Sequence, residues 1–296
     1  MDLVLEWDRH PGTGLRLASE LAGAAGLTVL EDDVLGRGGL GTDRLGILAA
    51  RRGGELLGWA ELSGGTSERD ERPMNTARAV VEPVFASRYL RRIQVGHYDF
   101  EPATDVEEAV VQALLVGAAG HARALGYRVL HWHGTDIGPE GRAAAALGAV
   151  EVGEYGRVWT AEPRTWQAPV ALTFGDPVDC VLHALAESAD PSGQVLVVAL
   201  LGPGEVDPIA SVATSVTGSE AYINAGEGFS YQDVDSDALA ALIGAVIAEL
   251  RDQVPQALVL RVFEDADRRI RAALATAGLD PSARCCDYEL ALDAVS

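Results

Sequence analysis

An internal repeat is the feature that most constrains how this 296-residue chain folds, because both halves predict the same order of helices and strands. The first half predicts a β-hairpin, a long helix, a strand, a short helix and a strand, at 46–62, 102–126, 128–132, 139–147 and 150–161. The second half predicts the same elements at 195–216, 238–250, 257–263, 267–277 and 284–292. The chain therefore contains two copies of one α/β unit.

The boundary between the copies is indicated by an interruption of the pattern near 162–168. Pro163 and Pro169 flank this stretch, and Trp166 lies within it. Placing Phe229 against Phe100 keeps the long helix and the following strand in register without a gap. We therefore expect two domains, at 1–163 and 168–296.

Further elements precede the long helix of the first half. Apolar residues at near-helical spacing predict a helix at 14–25, which Gly26 closes. The segments 79–85 and 91–98 are typical of strands. The stretch 64–88 has no counterpart in the second half, so we interpret it as an insertion.

The charge balance excludes several classes of partner. The chain has 44 acidic and 23 basic side chains and a formal charge of −21, which repels nucleic acid and anionic lipid. No apolar run approaches the roughly 20 residues that a membrane span needs, and the first residues include no basic leader. We expect a cytoplasmic protein, as a monomer or homodimer because the two copies already form an internal pseudo-dimer.

Two segments carry a resemblance to a known family. Ala122-Arg123-Ala124-Leu125-Gly126-Tyr127 resembles the end of the third helix of the GCN5-related N-acetyltransferase (GNAT) superfamily, and 141–154 resembles its fourth helix and following turn. The element order, present twice, is similar to its tandem bacterial members of the mycothiol synthase type. The resemblance implies a mixed α/β sheet in two tandem GNAT-like domains, and an N-acyltransferase that moves an acetyl group from acetyl-CoA to a small amine.

The same resemblance implies where acetyl-CoA binds. Members of the family hold its pyrophosphate on a glycine-rich loop between the fourth strand and the third helix. Counting the segment that ends near Val95 as that strand gives these candidate residues: Gln94, Val95, Phe100, Glu101, Ala103, Thr104 and Asp105. The loop lacks the usual glycines and carries two carboxylates, so we expect weakened CoA binding. In an alternative frame, Val81-Glu82-Pro83 ends the fourth strand instead.

Three residues are candidates for the proton transfers of acyl transfer. His97 and Glu82 are candidate bases for the acceptor amine, and Tyr155 is a candidate acid for the departing thiolate, as the resemblance implies. For His97 and Tyr155, a half-buried strand residue with its polar tip in water is an equally good interpretation. For Glu82 the alternative is a solvated surface carboxylate.

Metal and cysteine chemistry receive little support from the sequence. His131 and His133 lie on one face of a predicted strand, but no third ligand follows at a recognisable interval, so we expect no metal. Three cysteines, two of them adjacent, do not make a disulfide framework. Two further hypotheses stay open: a GNAT-fold protein that has lost catalysis and serves in binding or self-protection, and a CoA-independent enzyme for a small metabolite.

Overall fold

A computed structural model describes residues 2–10, 12–27, 43–64, 78–95, 100–169, 179–187, 194–201, 208–224, 228–231 and 234–292. The chain divides into two compact units. The first unit comprises Met1–Gln94, Tyr98–Glu154 and Cys285–Ser296, and the second comprises Val95–His97 and Tyr155–Arg284. Among the described residues, no helix combines the length and the apolar character that crossing a membrane requires.

The first unit is a sheet flanked by helices on both faces. Its elements are β1 (Val4–Asp8), α1 (Thr13–Ala24), β2 (Asp43–Arg52), β3 (Glu55–Gly64), β4 (Arg78–Phe85), α2 (Ala86–Val95), α3 (Asp105–Ala124), β5 (Val129–Thr135), α4 (Pro139–Leu147) and the start of β6 (Val150–Ala161). The strands follow the order β1-β2-β3-β4-β5, and only β4 and β5 are parallel.

Each face of this sheet has its own core. Helices α3 and α4 cover one face through buried aliphatic side chains that include Val110, Leu114 and Ala143, against Leu130 and Trp132 of β5. Helices α1 and α2 pack on the other face around Trp59, whose ring meets Tyr89 edge to face at 5.1 Å. The alternation of side chains along each strand therefore decides which residues face α3 and which face α1 and α2.

The second unit repeats this order of strands, and its two described helices pack in one core. Its elements are the end of β6, β7 (Asp179–Glu187), β8 (Gln194–Leu201), β9 (Pro208–Thr217), β10 (Glu220–Asn224), β11 (Phe229–Tyr231), α5 (Ser236–Gln253), β12 (Val259–Glu264), α6 (Arg268–Thr276) and the start of β13 (Asp280–Ala291). The order is β6-β12-β10-β9-β8-β7, with β11 also on β9 and only β10 and β12 parallel. Gly148 after α4 and Gly278 after α6 both have positive φ, the conformation that ends helices at glycine.

The last strand of each unit comes from the other half of the sequence. Residues 285–291 of β13 pair with β5 in the first unit, whereas residues 157–161 of β6 pair with β12 in the second. Trp166 donates a 2.9 Å hydrogen bond to the Ala277 carbonyl inside the second unit. The expected domains, 1–163 and 168–296, thus remain a prediction, whereas each compact unit includes a strand from the other half of the sequence.

Most predicted elements are present, and one is wrong. Residues 91–95 are the end of helix α2 and not part of a strand over 91–98. Tyr89 and Ile93, one helical turn apart, both pack against the core around Trp59. This apolar pair at helical spacing stabilises a helix and overrides the period-two pattern. The sequence analysis also missed the strands β1, β7, β10 and β11. Because β10 is parallel to β12 as β4 is to β5, β4 has a counterpart, and the interpretation of all of 64–88 as an insertion is wrong.

Candidate functional site

The first unit opens where its two parallel strands separate. β4 and β5 pair only from Arg78 with Val129 to Val80 with His131. Beyond this point β4 stays paired with β3 as far as Phe85, and β5 stays paired with β13 as far as Thr135. The two strands therefore have no mutual pairing beyond this point in the part of the chain that the structure describes. The segment after β5 leads into α4, and Ala103, just before α3, donates a hydrogen bond to the Ile137 carbonyl of that segment. We call this gap the first opening.

One face of the sheet beside the first opening is polar. Leu130, Trp132 and the alternate residues of β13 belong to the core under α3. His131 and His133 of β5 and Asp287 and Glu289 of β13 therefore point to the opposite face. Glu82 of β4 lies on that same face, two residues beyond Val80, and is half-buried.

The polar side chains form a connected chain of short distances. Arg78 Nη2 lies 2.8 Å from Glu289 Oε1, which lies 3.7 Å from His131 Nδ1. His131 Nε2 lies 3.8 Å from Asp287 Oδ1, and Asp287 in turn contacts Nδ1 of His133 directly. His131 is 2% exposed, so these groups interact in a medium that screens charge poorly. The pairing of β5 with β13 places a carboxylate, that of Asp287, beside the two histidines. This is the third potential metal ligand that the sequence analysis did not identify.

The N-terminus of α3, beside the first opening, is occupied by its own side chains. Thr104 and Glu107 form a capping box: the Thr104 N–H donates to Glu107 Oε2 at 2.7 Å, and the Glu107 N–H donates to Thr104 Oγ1 at 3.3 Å. Arg88 of α2 donates to both Glu107 oxygens, at 2.9 and 3.2 Å, and to the carbonyls of Glu101 and Pro102. These contacts use helix-end groups that would otherwise face a bound anion.

The ionisation of Glu107 follows from these contacts. Burial acts to raise the pKa of its carboxyl, but the hydrogen bonds from Arg88 and from the Thr104 backbone outweigh burial. The pKa of Glu107 therefore lies below its ordinary value, and the group is a carboxylate at neutral pH. A negative charge stays fixed at the helix end, where the dipole favours it.

The residues predicted to bind the cofactor lie in different surroundings. Phe100 and Ala103 are buried, and the Ala103 N–H donates to the Ile137 carbonyl at 2.9 Å. Asp105 is an exposed residue in the first turn of α3, and the Glu101 carbonyl accepts from Arg88. Gln94 is exposed near the end of α2, on which Val95 is the last residue. The strand beside β5 is β4, as in the alternative frame, so α2 and the following segment separate it from α3.

The structure describes two of the three candidate catalytic residues. Glu82 lies on β4 in the first unit, and half-buried Tyr155 is grouped with the second unit. His97 lies outside the described residues. Tyr288, on the core face of β13, is buried, and its burial together with Cys286 raises the pKa of its hydroxyl.

The second unit has an equivalent opening with different contents. β10 pairs with β12 from Glu220 to Asn224, whereas the next strand, β11, pairs with β9 and not with β12 among the described residues, so an opening lies between β11 and the end of β12. The Tyr231 hydroxyl, on β11, donates to Asp267 Oδ2 at 2.6 Å, and Asp267 caps α6. The guanidinium of Arg269 lies 4.9 Å from the centre of the Tyr231 ring. We call this arrangement the tyrosine bridge, because it spans the second opening.

The tyrosine bridge changes the ionisation of both its members. Burial, then the hydrogen bond to Asp267, raises the pKa of Tyr231. Burial acts to raise the pKa of Asp267, but the hydrogen bonds from Tyr231 and from the backbone of α6 lower it by more than burial raises it. The pKa of Asp267 therefore lies below its ordinary value. The bridge therefore joins a neutral phenol to a carboxylate at neutral pH.

A buried ion pair lies beside the bridge. Glu264, at the end of β12, is 0% exposed and accepts from Arg271 Nε at 2.9 Å and Nη2 at 3.0 Å. The Trp159 indole also donates to it, at 3.3 Å. Arg261 and Phe263, the outward residues of β12, occupy the places that His131 and His133 have on β5. The second opening thus carries no counterpart of the histidine cluster among the described residues.

Comparisons with known proteins agree with this architecture. A tandem GNAT protein from the clavulanic acid biosynthesis pathway superposes with a TM-score of 0.51 at 13% identity, covering 98% of this chain and 99% of that chain. A GCN5-related N-acetyltransferase from Sphaerobacter thermophilus gives a TM-score of 0.45 at 12% identity, covering 98% of this chain and 96% of that chain, which is too low to carry an argument. No family model matches the sequence, and the comparison with curated proteins gives no match.

The fold class follows from the first of these likenesses. The chain is a mixed α/β protein with the fold of a tandem GNAT protein, as the resemblance implied. A pair of parallel strands, with a long helix between them in the sequence, is present in both units. At such low identity the likeness defines the fold and leaves the reaction to be argued from the residues.

Proposed function

We propose that this protein is an N-acyltransferase that moves an acetyl group from acetyl-CoA to a small amine at the first opening. The observation that carries the proposal is the divergence of β4 and β5 beside Glu82. Unpaired strand edges offer backbone groups to an amide-containing acyl carrier, and a half-buried carboxylate next to them is suited to accept a proton.

The contents of the two openings favour the first one. The tyrosine bridge spans the second opening with a 2.6 Å hydrogen bond, and the buried pair of Glu264 and Arg271 lies beside it. In the first unit the corresponding end of β5 is Gly134, against which Glu140 of α4 packs instead. The tyrosine bridge across the second opening therefore favours the first opening as the site of acyl transfer.

The charges beside the first opening argue for weak binding of the donor. Asp105, Glu107 and Glu108 lie in the first turn of α3, where a pyrophosphate would approach. A carboxylate near a phosphate opposes binding by about 1 kcal/mol, or about fivefold in affinity, when water has access. The proposal therefore includes low affinity for acetyl-CoA.

Calorimetry with acetyl-CoA tests the proposal and its location. Wild-type protein is expected to bind acetyl-CoA weakly but saturably, and Asp105→Asn to bind about fivefold more tightly because one repelling charge is removed. Asp237→Asn, a matched change in the first turn of α5, is the control and leaves the affinity unchanged. Absence of saturable binding at millimolar acetyl-CoA would refute the proposal.

Kinetics then test the role of Glu82. If Glu82 is the general base, Glu82→Gln lowers kcat by about 10²- to 10⁴-fold and leaves acetyl-CoA binding intact. Glu61→Gln is the matched control, because Glu61 lies directly opposite Glu82 on β3 and forms an ion pair with Arg44. Equal rates in wild type and Glu82→Gln would remove Glu82 from the mechanism.

A second function is favoured by the occupied end of α3. The capping box and Arg88 already satisfy groups that would hold a pyrophosphate. On that basis the chain would be a GNAT-fold protein that binds a small amine without CoA. A small amine that raises the melting temperature, with acetyl-CoA having no effect, would support this function over acyl transfer.

A further inference from the structure

We propose that His131, His133 and Asp287 bind a divalent transition-metal ion such as Zn²⁺ on the polar face of the first unit. One nitrogen or oxygen of each residue lies within 4.8 Å of the others. Two imidazoles and one carboxylate suit first-row transition metals, whereas Mg²⁺ and Ca²⁺ prefer oxygen ligands alone. Three protein ligands leave coordination positions open for water or another molecule.

The strand pairing is what assembles this ligand set. His131 and His133 lie on the same face of β5, and Asp287 is the residue of β13 directly opposite His133. Asp287 Oδ1 contacts His133 Nδ1 and lies 3.8 Å from His131 Nε2, so one carboxylate faces both imidazoles. An ion bound there replaces the direct contact between Asp287 and His133, which requires a small rotation of the Asp287 side chain.

Glu289 and Arg78 are placed to orient His131. Glu289 Oε1 lies 3.7 Å from His131 Nδ1, on the side of the ring away from Asp287, and Arg78 holds Glu289 at 2.8 Å. A metal-bound histidine commonly donates its second N–H to a carboxylate, which fixes the ring and its tautomer. Glu289 is therefore a positioning residue for the site and not a ligand.

Charge and space also favour a cation. Asp287 and Glu289 are each 18% exposed, and Arg78 pairs with Glu289. Carboxylates in partly buried surroundings favour a cation beside them. On β6, Gly153 lies so close to Asp287 that a Cβ there would be 3.3 Å from Oδ2. The absence of a side chain at this position leaves room beside the carboxylate.

Metal titration of tag-free protein tests the proposal without any use of acetyl-CoA. After chelator treatment and dialysis, wild type is expected to take up one Zn²⁺ per chain and to give Co²⁺ a visible ligand-field spectrum. Asp287→Asn and His133→Gln should weaken Zn²⁺ binding by at least about 100-fold, and Glu289→Gln by about 10- to 100-fold. Circular dichroism and metal-free melting temperatures check that each variant is folded.

His121→Gln is the control, because His121 stacks on Trp7 at 4.0 Å and belongs to no part of the cluster. It should bind Zn²⁺ like wild type. A wild-type protein that retains no Zn²⁺ and gives no Co²⁺ spectrum would overturn the proposal. Folded Asp287→Asn and His133→Gln variants that bind as wild type would overturn it too, since the ion would then lie elsewhere. Because acetyl-CoA is absent, these results are independent of those on acyl transfer.

Discussion

The two units share one strand order and differ in what lies at their openings. At the first opening, the face of the sheet opposite α3 carries two histidines and two carboxylates, and Glu82 lies on the neighbouring strand. At the second opening, the hydrogen bond between Tyr231 and Asp267 spans the gap. The buried ion pair of Glu264 and Arg271 lies beside it. The comparison teaches that a duplicated fold keeps its strand order while the side chains at its two openings, and the contacts that they make, differ.

The largest expected effect concerns the ion pair of the second unit. Arg271→Met leaves Glu264 buried without its guanidinium partner, so the free energy of unfolding should fall by about 3–5 kcal/mol. Urea unfolding followed by circular dichroism measures this. Arg251→Met, which breaks an exposed pair with Asp252, is the control and should change stability by less than about 1 kcal/mol. An effect as small as that of the control would show that Glu264 is not held by Arg271.

The next effect concerns Gly134, which has the place on β5 that Glu264 has on β12. A Cβ at Gly134 would overlap Glu140 at the start of α4, so Gly134→Ala should destabilise the protein by about 1–3 kcal/mol. Gly120→Ala, in α3 with no atom within 4 Å of the added methyl, should instead stabilise it by up to about 1 kcal/mol. Thermal unfolding should show a lower melting temperature for Gly134→Ala and an equal or higher one for Gly120→Ala than for the wild type. If Gly134→Ala were as stable as the wild type, the space between Gly134 and Glu140 would accommodate a methyl group.

The tyrosine bridge should have a smaller effect. Tyr231→Phe removes its hydrogen bond to Asp267 and should cost about 1–2 kcal/mol of stability. The loss should disappear at high pH, because the raised pKa of Tyr231 gives stability that is present below pH 10 and is lost as pH rises through the folded-state pKa. Tyr127→Phe is the control, since no hydroxyl bond is described for Tyr127. A pH-independent difference between wild type and Tyr231→Phe would contradict the bridge.

The smallest effect concerns the carboxylate at the start of α3. The pKa of Glu107 is lowered from 4.5, so its stabilisation is present above pH 4.5 and is lost as pH falls through the lower folded-state value. Acid unfolding of Glu107→Gln should therefore lack this part of the pH dependence. Glu101→Gln is the comparison variant. Identical acid profiles for wild type and Glu107→Gln would contradict the lowered pKa.

Local patterns predicted several elements closely. Helix α4 and strand β6 have the bounds expected from proline, glycine and apolar spacing, 139–147 and 150–161. The two hairpins and the two long helices also occur where the apolar periods placed them, because those signals arise within a few neighbouring residues. Helix α2 was missed because its apolar pair, Tyr89 and Ile93, lies among arginines that also fit an exposed strand.

The candidate site was predicted only in part. Glu82 was named from the sequence, and its place beside diverging strands agrees with the alternative frame for the fourth strand. His131 and His133 were recognised as facing the same way, but Asp287 lies 154 residues after His133 and no local interval points to it. The ion pair of Glu264 with Arg271 was likewise not predicted.

The sequence by itself determined the duplicated order of elements and the faces that their side chains occupy, since helical and strand periods are local properties of the chain. The tertiary structure decided that β13 completes the first unit and β6 the second. Strand pairing depends on backbone hydrogen bonds between distant segments, which local spacing does not encode. That exchange alone brings Asp287 and Glu289 beside His131 and His133.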